Sequence, residues 1–235
     1  MKICLFGITS ITPGRHNVRD PRMDQADKLV EAQKKTYAQV DVVTEKDQDL
    51  LTADAIVTTR AALSDLLMKD LEFVETRLGR GAEAAEKTVL DKLAEALVGE
   101  TPVAKAGLSV EELTAVAAHN FYSSKPVVVA DDAELAAPES LIVRAFQESG
   151  WISFLTVGGK ENRAWPIRGG LTAWEAAGTI HTDIQKGFIR AEIIAFADLV
   201  AAGGETEAKR AGKQRLELKT YVMQDYDVTN FRFNK

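Results

Sequence analysis

Apolar residues recur at steps of three and four from Leu63 through Leu66, Leu67, Leu71 and Val74 to Leu78, and again at Val89, Leu90, Leu93 and Leu97. That spacing is the period of a helix with one buried face. Gly79-Arg80-Gly81 breaks the run and Gly99 ends it. The two helices are therefore expected to fold back on each other as an antiparallel hairpin joined by a short loop. A hairpin of this kind buries one stripe, and the rest of the chain must supply the surface it packs on.

The flanking sequence supplies strands. The apolar run 2–6, stopped by Gly7, suits a buried parallel strand, and 39–43, 55–57 and 126–130 read the same way. Residues 9–17, with Pro13 and Gly14, read as a loop. A helix is predicted from Asp20 as N-cap and Pro21 as first helical residue, with Ala26, Leu29 and Val30 on one face. Ser109-Val110-Glu111-Glu112 is a capping box, and Leu141, Ile142, Ala145 and Phe146 mark a helix over 138–149 that Gly150 stops. After 150 the character changes. Strands are predicted at 152–157, 163–167, 188–196, 220–223 and 230–233, around a helix capped by Thr172-x-x-Glu175 and a shorter one from Asp198. That mixture implies a second, smaller α+β fold.

A chain of 235 residues has room for two domains, and 46% hydrophobic with 27% charged residues builds a core without staples. The single cysteine, Cys4, lies inside the first apolar run, so it reads as a buried structural thiol in a protein of a reducing compartment. No apolar stretch approaches the ~20 residues that span a bilayer. No membrane association and a cytoplasmic location are expected. Charge is uneven: 12 Lys/Arg against 10 Asp/Glu after residue 150 leaves 17 against 25 before it. Affinity of the first part for a polyanion is thereby disfavoured, and in the second part it must come from local clustering.

Four strings after residue 150 carry a family resemblance. They are Phe154-Leu155-Thr156-Val157-Gly158-Gly159-Lys160-Glu161-Asn162-Arg163-Ala164-Trp165, Ala176-Ala177-Gly178-Thr179-Ile180-His181-Thr182-Asp183, Lys186-Gly187-Phe188-Ile189-Arg190-Ala191-Glu192, and the ending from Val222-Met223-Gln224-Asp225-Tyr226-Asp227-Val228 to Phe231-Arg232-Phe233-Asn234. The region 151–235 resembles the TGS-like C-terminal domain (DUF933) of the Obg-like, YchF-type P-loop ATPases, which implies a β-grasp, ubiquitin-like fold. In pieces, residues 1–150 resemble that family's nucleotide domain. Residues 2–7 match its first strand, Asn17-Val18 through Lys34-Lys35 the region around its first switch, 53–57 a later core strand, 61–118 its inserted hairpin and Lys125-Pro126-Val127 the strand before its base-recognition loop. The implied fold class is α/β. A reduced P-loop-type parallel sheet (1–60 and 119–150) carries an inserted antiparallel hairpin (61–118), and a β-grasp domain (151–235) follows.

The family's nucleotide motifs are not preserved. A phosphate loop needs G-x-x-x-x-G-K-[ST] between a strand and a helix, so that backbone N–H groups, a lysine and a magnesium-binding hydroxyl converge on the phosphates. Here six residues separate Gly7 from Gly14, Arg15 and His16 stand where lysine and hydroxyl belong, and Pro13 removes an N–H. Thr44-Glu45-Lys46-Asp47 replaces D-x-x-G, and Asp131-Asp132-Ala133-Glu134 replaces the base-recognition loop, where Asp132 retains an acceptor for a purine N–H. No nucleotide or metal cofactor is therefore expected. His16, His119 and His181 have no metal-ligand spacing. Lys209, Arg210, Lys213, Arg215 and Lys219 put five positive charges within eleven residues, near Tyr221 and Tyr226. They are the candidate surface for a ribosomal, RNA or protein partner. The leading expectation is a non-catalytic binding protein. The alternative is an atypical ATP- or GTP-binding protein or weak NTPase, with magnesium, built on Gly7, Gly14, Arg15 and Asp132. A trimmed sheet also exposes edges that need covering, for which a second copy of the chain is a candidate.

Overall fold

A computed structural model of the chain describes residues 1–234. The chain opens with β1 (Lys2–Phe6), β2 (Gly14–Val18), α1 (Pro21–Leu29), β3 (Lys34–Thr36) and β4 (Ala38–Thr44). Next come α2 (Asp47–Thr52), β5 (Ala55–Thr59), the long pair α3 (Arg60–Gly79) and α4 (Ala84–Val98), the short α5 (Val110–Ala115), then β6 (Val127–Ala130), α6 (Asp132–Ala136) and α7 (Pro138–Glu148). The C-terminal part runs β7 (Trp151–Thr156), β8 (Glu161–Arg168), α8 (Ala173–Ile180), α9 (Thr182–Lys186), β9 (Phe188–Ile194), α10 (Phe196–Ala202), α11 (Glu205–Arg210), β10 (Arg215–Glu217) and β11 (Val228–Phe233).

These elements form two compact units, drawn differently from the three expected regions. One comprises Met1–His16 and Val40–Ser149, and the other Asn17–Gln39 with the chain from Gly150 onward. In the first, β1 lies between β4 and β5, and β6 follows β5, with all three pairings parallel. The hairpin does not stand apart from this sheet. Leu63, Leu66, Leu67 and Val74 of α3 and Leu90, Leu93 and Leu97 of α4 share one buried cluster with Cys4, Phe6, Ile56 and Val127 of the strands. Burying those side chains against the sheet is worth roughly 1.5–3 kcal/mol each, which is why hairpin and sheet make one core.

In the second unit, β11 lies parallel to β7 (Val228 opposite Leu155) and antiparallel to β9 (Phe231 opposite Ala191). The order β10-β9-β11-β7-β8-β3, with β7 and β8 an antiparallel pair, is consistent with the β-grasp implied by the resemblance. Ala173, Ala176 and Ala177 of α8 are fully buried against Phe154, Ile167, Ala191 and Ile193. Small residues let that helix approach the sheet closely.

The segment from Asn17 is stitched into this unit by polar contacts. Asn162, fully buried, donates from Nδ2 to Asp27 Oδ1 (2.9 Å) and to the carbonyl of Val30 (2.7 Å), and its Oδ1 accepts from the N–H of Gly158 (2.8 Å). β3 then adds a parallel strand to β8, with Lys35 opposite Asn162. At the other end of α1, Asp20 caps the helix by accepting from the Arg22 N–H (2.9 Å). The Arg22 guanidinium lies 3.8 Å from the centre of the Tyr226 ring and bonds Asp20 and Asp225, each at 2.7 Å. Tyr226 is buried and held at φ 63°, a left-handed conformation that a bulky residue adopts only when its surroundings enforce it.

Three expectations fail locally. The loop at 9–17 contains β2; 220–223 forms only an isolated bridge between Val222 and Thr172 rather than a strand; and β3 and β10 form where no strand is expected. GRHNV, KKT and RLE are polar and short, so they carry no alternation to read.

Candidate functional site

Open parallel sheets bind ligands beyond the carboxyl ends of their strands, where the strand order reverses. In the first unit that point is β1, with β4 on one side and β5 on the other. Gly7 follows β1 at φ 67°, and its N–H donates to Glu45 Oε2 at 2.7 Å. A Cβ at Gly7 would lie 2.4 Å from Ala62 Cβ in the first turn of α3. The same turn is capped by Thr59, and beside it Glu100 accepts from Ser64 Oγ (2.8 Å) and from Arg60. Two groups at this end of the sheet could greet a phosphate, the Gly7 N–H and the start of α3. The first already holds the carboxylate of Glu45; at the second the Ala62 N–H is taken by Thr59 Oγ1, and Glu100 bonds the side chains of Arg60 and Ser64.

The segment after Gly7 does not form a phosphate cradle. Ile8 and Ile11 are buried, and the chain enters strand β2 where a P-loop enters a helix. The segment after Gly7 therefore offers no row of helix-start N–H groups to the switch point. Gly14 and Arg15 lie in β2, and Arg15 pairs with Asp41 at 3.5 Å. Asp41 is in register with Lys2, at the start of β1, whereas Gly7 follows its end. Five residue steps of strand, from Lys2 to Gly7, span about 16 Å. Arg15 is thus not brought to Gly7.

Asp132 does lie at the carboxyl end, exposed at the start of α6 just past β6. Its neighbours have structural work. Asp131 caps α6 by accepting from the Glu134 N–H (2.8 Å), and Glu134 takes a forked pair from Arg144 (2.6 and 2.7 Å), which holds its carboxyl below the usual range. Arg144 also donates to the carbonyl of Val129 (2.9 Å), satisfying an acceptor on edge strand β6. Thr44 ends β4 and Asp47 begins α2.

The basic cluster of the second unit is largely neutralised. Lys209 pairs with Glu205 (2.7 Å), Arg210 with Glu207 (4.0 Å), Lys213 with Asp198 (3.1 Å) and Arg215 with Glu217 (3.2 Å). Among the described residues Lys219 has no acidic partner. Tyr226 is buried under Arg22 and unavailable for stacking, while the Tyr221 hydroxyl donates to Asp227 (2.9 Å), and burial pushes its pKa up to about 12. His181 accepts the Asp183 N–H at the start of α9, and His119 bonds Glu86 at 2.8 Å. Among the described residues no three potential ligands gather to hold a metal ion, and no helix is long and apolar enough to cross a membrane.

Sequence reasoning missed Glu45 as the partner of Gly7, although its place directly after β4 was the available signal.

The family YchF-GTPase_C, described as a protein of unknown function (DUF933), matches residues 151–234. A ribosome-binding ATPase YchF of Haemophilus influenzae is 33% identical over 237 residues, covering 76% of this chain. The chain belongs to the Obg-like, YchF-type family. It spans 65% of the length of that relative. The family model falls within the second unit, and a ribosome-binding ATPase YchF of Pasteurella multocida is 56% identical over 82 residues, 35% of this chain and 23% of its own. A solved structure, that of the Schizosaccharomyces pombe YchF GTPase, superposes with a TM-score of 0.75 at 19% identity, over 99% of this chain and 97% of that one, which establishes likeness of fold.

Proposed function

We propose that this family member acts by binding a partner and not by turning over nucleotide, with its C-terminal module as the binding part. The observation that carries the proposal is the Gly7 N–H engaged by Glu45, with Ala62 packed against the same glycine. A triphosphate arriving there would meet the carboxylate of Glu45 and the Arg60–Glu100 pair, and would lack the P-loop lysine and the hydroxyl that follows it, in whose place stand Arg15 and His16. The residues present do not fit ATP or GTP with magnesium. Support for the C-terminal module comes from the family model, which matches it over residues 151–234. The relatives' names speak of ribosome binding, so a ribosomal component is the proposed partner. Lys219, exposed and without an ion-pair partner among the described residues, is the proposed point of electrostatic contact.

Calorimetric titration of the full chain with ATP or GTP, with and without magnesium, is expected to give no binding heat at micromolar concentrations. Ribosome co-sedimentation is expected without added nucleotide, and to weaken with salt and in Lys219→Glu. Micromolar nucleotide binding, or co-sedimentation that appears only with nucleotide, would reject the proposal.

A further inference from the structure

Within the second unit, β7 ends at Thr156 just after its pairing with β11 at Val228, while β11 continues to Phe233. A cavity of about 400 Å³ opens between Thr156 and Val157 on one side and the run from Val228 to Phe231 on the other. That is within the lower range for small-molecule sites. Its aliphatic walls are Ile180, Ile184 and Ile194, and the charged residues on its lining are Glu192 and Glu205, with no lysine, arginine or histidine among them.

The two carboxylates are placed differently. Glu192 is buried; its Oε2 accepts from Asn230 Nδ2 at 2.7 Å and its Oε1 from Arg232 Nε at 2.7 Å. Glu205 bonds Lys209 through Oε1 at 2.7 Å, and its Oε2 has no hydrogen-bond partner among the described residues. Both partner cations, Arg232 and Lys209, are half-exposed and lie off the lining, so their charges are partly screened by water while the carboxylates face the cavity. An anion or a phosphate ester entering here would be repelled. An alkyl chain would find the isoleucines, and a positive end would find the free oxygen of Glu205, with Glu192 on the same lining.

We propose that this cavity is a binding site for a small aliphatic organic cation, a primary ammonium or guanidinium group on an alkyl chain. The site is independent of the sheet end discussed above, and nothing in the proposed ribosomal role requires it.

The test uses the full chain and agmatine as probe, read by calorimetry and by the methyl resonances of Val157, Ile180, Ile184, Ile194 and Val228. Saturable binding with shifts confined to those methyls is expected. Glu205→Gln, which keeps the size and removes the charge, should weaken binding about tenfold, and Gln214→Glu, which adds a carboxylate to the lining, should strengthen it several-fold. The pair of variants guards against either one failing to fold. Pentan-1-ol and glutarate serve as the uncharged and anionic comparisons. Absence of agmatine binding at millimolar concentration, equal binding of pentan-1-ol or glutarate, or affinity indifferent to both variants would overturn the assignment.

Discussion

Arg22→Ala is expected to lower the stability of the protein by about 2–3 kcal/mol, somewhat less than the loss of a fully buried partner because a third of the side chain is exposed. The substitution removes the forked bond of Arg22 to Asp20, only 4% exposed, and uncovers the face of the Tyr226 ring. It also frees Asp225, whose Oδ1 holds the N–H of Ser153 at 3.0 Å. Arg22→Lys separates charge from shape, since an ammonium cannot fork between two carboxylates and stack on the ring at once. Urea unfolding followed by Tyr fluorescence measures both, and the lysine variant should recover less than half of the loss. A midpoint within about 0.5 kcal/mol of the parent for Arg22→Ala would mean that the cluster contributes nothing, as many exposed ion pairs do.

The other large effect belongs to the first unit. Asp70, buried on α3, accepts from the N–H groups of Tyr122 (2.7 Å) and Ser123 (2.8 Å) and from Ser123 Oγ (2.7 Å). Ser123 Oγ in turn accepts from the N–H of Val103 at 3.0 Å. One carboxylate thus anchors two irregular turns to the long helix. Asp70→Ala leaves buried donors unsatisfied and should cost about 3 kcal/mol or more, enough to unfold a marginal domain at moderate temperature. Burial pushes the Asp70 carboxyl above its ordinary pKa of 3.8, although the hydrogen bonds pull the other way. A folded-state value above the unfolded one means that this group favours folding most below pH 3.8, and that the contribution fades as pH rises through the raised value. Asp70→Asn should remove that slope from the acid limb of the stability profile while remaining less stable than the parent at neutral pH. An unchanged slope would place the proton elsewhere.

Much of this fold is legible in the sequence because its signals are local. The leucine stripes mark α3 and α4, Asp20-Pro21 marks the start of α1, and Ser109 and Thr172 mark their capping boxes. The edge strands are not legible, since KKT and RLE pair only because a neighbouring edge is free to receive them. The missing phosphate loop can be read from spacing alone. What replaces it cannot, because the contact of Glu45 with Gly7 joins residues 38 positions apart and is set by strand order. The basic run at 209–219 looks stronger in the sequence than in the fold for a similar reason: Asp198 is close to Lys213 only once α10 is in place.

The pairing of β3 with β8 has a consequence for synthesis. Residues 17–39 leave the ribosome more than a hundred residues ahead of the strand they join. At roughly 5–20 residues per second the wait is on the order of 6–24 s. During it α1 has neither Asn162 to hold its end nor Tyr226 to stack on Arg22, so its apolar face is open to water and to passing chains. The second unit is the later of the two to be completed, and its first piece is the oldest. Slowing translation between Gln39 and Gly150 should therefore lengthen exposure of α1 and raise the aggregated fraction.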